Sequence, residues 1–196
     1  MRVVALFSTF CFTSLLLSFS NTAQALECPT GEIEICLVGC LCVPNPEIIN
    51  KEISRVAAPA LEQWLIQSRN AAEPGAQGIP LNIKVQLLPY YDAKVLDAAL
   101  YKVGDNVEMS AGGTMLQNPD TKAVTLIDII VFRTEEDAQN DVALWAHELK
   151  HVQQYQDWGV AEFAVRYTRN FNEVEDPAYE IQAEVTRALK DSRQNM

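Results

Sequence analysis

Residues Trp145–Tyr155, WAHELKHVQQY, contain both histidines of a 196-residue chain, with a glutamate directly after the first. This stretch constrains the fold more than any other, because histidines at i and i+4 share a metal ion only when the segment is helical. One turn apart, His147 and His151 can grip one zinc ion, while Glu148 reaches a water in the open coordination position. Zinc polarises such a water and the glutamate takes its proton, giving a nucleophile for a peptide carbonyl. HExxH is a short pattern that also arises by chance. Against chance stands the helix itself, where Ala138, Val142, Trp145, Leu149 and Val152 form an apolar stripe. At about 100° per residue the two histidines fall roughly opposite that stripe. Leu144 and Tyr155 flank them, so the histidine face resembles the floor of a semi-enclosed cleft.

The segment ahead of the motif predicts how the helix is reached. AVTLIDIIVF, Ala123–Phe132, is dense in β-branched residues and apolar on both faces apart from Thr125 and Asp128, which predicts one strand covered inside a sheet. Thr134 then opens T-E-E-D, a capped start with acids in the first turn, for the helix expected to carry the motif. Further upstream, Asn45-Pro46-Glu47 is a helix start, followed by a stripe of Ile49, Ile53, Val56, Ala60 and Trp64 with Pro59 as a kink. Asn70–Pro80 reads as a loop, and Leu81–Leu88 and Leu100–Val103 as strands.

The start of the chain sets the compartment. Met1–Ala25 has a basic Arg2, an apolar run from Val3 to Phe19 and a small-residue Ala23-Gln24-Ala25 cleavage site, the pattern of a secretory signal peptide. Cleavage leaves 171 residues, enough for one domain, and removes one arginine and no acid, so the net charge of −11 becomes −12. An acidic surface of that size argues against nucleic acid and anionic membranes as partners. The expected location is periplasmic or secreted, with no stable membrane insertion after cleavage. Cys28, Cys36, Cys40 and Cys42 cluster in CPTGEIEICLVGCLC, and an even number in an exported chain predicts two disulfides in a small knot over residues 26–44. Cys40 and Cys42 are poorly placed to bond each other, so Cys28 pairs with one and Cys36 with the other. A four-thiolate zinc site is the competing reading, disfavoured by the missing CxxC pairs.

With no third histidine after His151, the remaining metal ligand is sought among Glu173, Glu175, Asp176, Glu180 and Glu184 of NEVEDPAYEIQAEVTRALK. In that helix Val174, Ala178, Ile181 and Val185 form the stripe; Glu175 and Glu184 border it on opposite sides and Glu180 points away, which narrows the choice without settling it. Glu173 and Asp176 read by default as solvated acids and are the candidates for supporting the histidines from behind; Asp157 reads as a surface acid. Tyr155, Tyr167 and Tyr179 are each placed to donate to an oxyanion or simply to pack.

HELKHVQQYQDWGVAEFAVRY followed by VEDPAYEIQAE resembles the zincin-like domain of eCIS-core type, found with extracellular contractile injection systems, in which HELxHVxQ is followed by a glutamate with Ala at +3 and Tyr or Asp at +4. The resemblance spans roughly residues 80–190 and implies Glu175 as third ligand, followed by Ala178 and Tyr179; Tyr179, one turn on, is then the preferred oxyanion donor. Lys150 departs from the family pattern, as does Pro177, which a first helical turn would accommodate. The expectation is an α+β zincin-like domain over 45–196, with a small mixed sheet, an HExxH helix and a C-terminal ligand helix, binding Zn2+ through His147, His151 and Glu175. The expected activity is peptide hydrolysis on a protein or peptide substrate, with Glu148 as general base. The alternatives are a zinc-stabilised binding or structural module without turnover, and metal-dependent hydrolysis of another amide such as that of a cell wall.

Overall fold

The computed structural model describes residues 28–36, 40–104 and 121–194. The expected signal peptide and residues 105–120 lie outside the described residues. Two units are distinguished, residues 1–44 and 45–196.

In the first unit, β1 (Glu32–Cys36) pairs antiparallel with β2 (Cys40–Pro44), in a register that sets Glu32 opposite Pro44 and Cys36 opposite Cys40. Gly31 precedes β1 with φ 96°, a conformation that glycine adopts without penalty. Cys28 is bonded to Cys42 across this hairpin, one of the two pairings the sequence left open. The side chains of Cys36 and Cys40 are not among those described; only their backbones are known to face each other. If Cys36 and Cys40 are bonded as well, the intact mass should fall about 4 Da below that of the reduced chain, and each short loop should add at most about 2–4 kcal/mol of stability. Four alkylatable thiols in the native protein would contradict this.

The second unit is a small sheet between helical layers. Its elements are α1 (Pro46–Ala72), β3 (Gln77–Gly78), α2 (Leu81–Leu87), α3 (Ala93–Ala98), β4 (Leu100–Val103), β5 (Ala123–Leu126), β6 (Ile129–Phe132), α4 (Glu135–Asn140), α5 (Val142–Trp158), α6 (Val160–Arg169) and α7 (Phe171–Gln194). The sheet order is β3-β4-β6-β5, with β4 and β6 parallel and the other pairs antiparallel. The mixed α+β class expected from sequence is present. Alternate residues of the strands face two cores. Ala123, Ile130 and Phe132 pack with Trp145, Leu149 and Val152 of α5, whereas Val124, Leu126, Ile129 and Val131 pack with Leu61 and Leu65 of α1. Trp145 is fully buried, donates its indole N–H to the Ala138 carbonyl at 2.7 Å and meets Tyr101 and Phe132 by their rings.

Four local expectations fail, each for a physical reason. Leu81–Leu88 is helical: its alternation of apolar residues also places Ile83 and Leu87 at i and i+4, and these two are the buried ones. Pro80 at the helix start accepts from the Ile83 and Lys84 amides. Among the described side chains of α1, which do not include Ile49 and Ile53 of the expected stripe, the buried ones are Ser54, Ala58, Leu61, Leu65 and Ala72, while Val56 is 74% exposed and Ala60 is exposed. Val56 and Leu65 lie nine residues apart, about 180° around a helix, so only one could face the sheet, and the larger leucine side chains do.

Ala123–Phe132 is a hairpin rather than one strand, and β5 is an outer strand of the described sheet rather than an interior one. No glycine marks the turn; Ile127 takes φ 65°, unusual for a β-branched residue. A long-range clamp accompanies that turn, since the Arg69 guanidinium of α1 binds both Asp128 carboxylate oxygens at 2.8 and 2.9 Å. Finally, the helix opened by Thr134 is the short α4 and does not carry the motif. Asp141 interrupts it with φ −89° and ψ 78°, and its carboxylate caps α5 by accepting from the Leu144 amide at 2.9 Å.

Candidate metal centre

The motif lies on α5, which is buried on both sides. One face carries Trp145, Leu149 and Val152 into the core, and the opposite face carries His147 and His151, 7% and 6% exposed, towards α7. Tyr91 donates to the Ala146 carbonyl and pins the backbone just before His147. α7 supplies Glu175, 8% exposed, whereas Glu180 and Glu184 are exposed. Pro177 stands inside this helix and not in its first turn, because α7 already begins at Phe171.

Three donor atoms converge. His147 Nε2 and His151 Nε2 are 3.2 Å apart, Glu175 Oε2 lies 3.3 Å from the first and Glu175 Oε1 3.5 Å from the second. With one atom taken from each residue, the three ligand atoms form a triangle and lie within 4.8 Å of one another. The pairwise approaches of 3.2–3.5 Å, in which the two histidines meet different oxygens of Glu175, are close to the about 3.4 Å that separates neighbouring donors on a tetrahedral zinc ion. The three residues could therefore hold a metal ion. Glu148 is outside the triangle, as a base acting on a water would be, but lines the same cavity.

The surrounding hydrogen bonds set the protonation pattern. Gln154 donates its amide N–H to the Val174 carbonyl at 2.8 Å, so its oxygen faces His151 Nδ1 at 2.9 Å and accepts that proton. The lone pair of His151 Nε2 is then turned towards Glu175 and His147, where only a proton or a metal cation makes the arrangement favourable. Burial alone would raise the Glu175 carboxyl, but hydrogen bonds from His147 and His151 outweigh it and hold the group at about 2. Burial alone would lower His151, and the Glu175 carboxylate outweighs that, raising it. His147 Nδ1 is buried without a protein partner. Glu148 accepts from Thr125 Oγ1 at 2.7 Å, which ties its carboxylate to β5.

Gln154 and Thr125 were not singled out from the sequence as site residues, although both left a trace. Gln154 is the glutamine of HELxHVxQ, and Thr125 interrupts an otherwise apolar strand. Glu173, a candidate for supporting the histidines, instead has its carboxylate taken by Arg166 at 3.0 Å and Arg169 at 2.7 Å; Asp176, the other candidate, and Asp157 are exposed. Tyr155 and Tyr167 are buried and line the cavity with Phe163 and Phe171, while Tyr179 is 49% exposed with its ring centroid 4.7 Å from that of His147. Since Gln154 holds both His151 and the backbone beside Glu175, Gln154→Ala is expected to weaken metal binding about 10–100-fold in a competition titration with a chromophoric chelator. Unchanged affinity would remove it from the centre.

The arrangement is that of an α+β domain with an HExxH helix facing a carboxylate helix. The family described as the eCIS core domain matches residues 95–159, from within α3 to just past α5. That stretch includes His147, Glu148, His151 and Gln154, and ends before Glu175. Neither the curated proteins nor the solved structures give a match to the chain.

Proposed function

We propose that this chain is an exported zinc-dependent metallopeptidase-like protein of zincin type, with His147, His151 and Glu175 as zinc ligands and Glu148 as general base. The observation that carries the reading is the buried convergence of His147, His151 and Glu175, whose ligand atoms lie within 4.8 Å of one another, with Glu148 lining the same cavity. Bound there, zinc supplies Lewis-acid polarisation and a more acidic water. Glu148, aimed by Thr125, takes the proton of the attacking water and passes it to the departing amine. Tyr179, against His147 and half exposed, donates to the oxygen that gains charge.

The outer position of β5 among the described strands supports a peptide substrate. The Arg133 amide donates to the Lys122 carbonyl, so in the alternating antiparallel pattern the peptide groups of Ala123 and Thr125 turn away from β6. An extended chain pairing there would run past the cavity. A second reading, a zinc-stabilised module without turnover, is favoured by the depth of the ligands, all under 9% exposed. The test is digestion of a diverse peptide library by the mature protein, read by mass spectrometry. Cleavage abolished by a chelator and restored by zinc supports the peptidase; a zinc-loaded protein that cleaves nothing supports the module.

A further inference from the structure

Two residues lining the cavity beside the donor triangle carry a buried polar atom without a protein partner, His147 at Nδ1 and Tyr155 at its hydroxyl. Tyr155 lines the cavity one turn beyond His151 and is 5% exposed, and its hydroxyl is buried without a hydrogen-bond partner in the protein. Native folds seldom leave such a donor unpaired without a functional reason or a bound molecule to meet it. Phe163 stacks on the ring, with centroids 3.9 Å apart and planes 24° from parallel, which fixes the direction of the hydroxyl. Of the cavity's lining residues, Glu148 and Glu175 are carboxylates that accept hydrogen bonds, and Tyr155 adds a donor. The cavity measures about 40 Å³. That is room for about two or three water-sized groups and not for a large side chain.

We infer that Tyr155 donates a hydrogen bond to an anionic oxygen of the ligand held in this cavity. In catalysis that oxygen is the carbonyl oxygen of the scissile amide as it gains charge, so Tyr155 serves from the enclosed side while Tyr179 serves from the exposed side. The inference rests on the zinc-hydrolase reading above. A phenol held in place before the reaction needs no reorganisation when the charge develops, which is the condition under which such a donor accelerates the step.

The test uses the zinc-loaded protein and acetohydroxamate, an oxygen-donor probe that requires no turnover. Tyr155→Phe removes only the hydroxyl and keeps the stacked ring. The variant is expected to retain its zinc and melting temperature, to bind acetohydroxamate about ten-fold or more weakly by titration calorimetry, and to lose kcat with KM little changed. Zinc retained with probe affinity within about two-fold of the parent would overturn the assignment. Loss of zinc in the variant would overturn it too, showing that the hydroxyl serves the centre's structure. If the parent binds zinc and probe and the variant binds the probe weakly, yet neither cleaves any peptide, the Tyr155 assignment stands and the hydrolytic reading falls.

Discussion

Replacing Glu148 by glutamine is expected to leave zinc content near the parent value and to lower peptide hydrolysis about 10²–10⁴-fold. The carboxylate is outside the donor triangle, so its loss removes no ligand, and glutamine keeps the size needed to fill the space between Thr125 and the histidines. What would disappear is the group proposed to accept the proton of the attacking water. The measurement is a pair, metal content and kcat on one preparation. A variant that loses zinc as fully as His147→Ala would show Glu148 to be a ligand. A loss of rate below about ten-fold would show that it is not the base.

Glu175→Gln is expected to act on the metal itself. Its two carboxylate oxygens lie 3.3 and 3.5 Å from the two imidazole nitrogens, and its charge opposes the cation that the site would hold. Losing a direct ligand should weaken zinc binding by more than the about 10–100-fold typical of an outer partner. Glu180→Gln and Glu184→Gln are the controls. Both carboxylates are exposed on α7, and their variants should bind zinc as the parent does. A Glu175→Gln protein of undiminished affinity, or a loss confined to either control, would place the third ligand elsewhere.

The parts of this site that were legible in the sequence are those set by spacing along one helix. His147 and His151 at i and i+4, with the Trp145–Leu149–Val152 stripe on the opposite face, follow from helical geometry alone. The burial of Val174, Ala178 and Val185 followed in the same way. Glu175 required more. Its periodicity left Glu184 equally placed beside the stripe, and the packing of α7 on α5, a long-range event, brought only Glu175 to the histidines. The hairpin at Ile127-Asp128 was hidden for a similar reason, since its Arg69 clamp comes from 59 positions away. In α2 and α1 two periods or two registers fitted the same apolar residues, and tertiary burial chose between them. Tyr155 was one of three tyrosines that the sequence offered as oxyanion donors, with Tyr179 preferred; its unpartnered hydroxyl has no signature in sequence.

The central claim is that the donor triangle is a zinc centre, and elemental analysis of the purified mature protein tests it most directly. The account predicts about one zinc per chain, released by a strong chelator, regained on adding zinc, and absent from folded His147→Ala protein. A folded parent chain that takes up no zinc when the metal is supplied would contradict it.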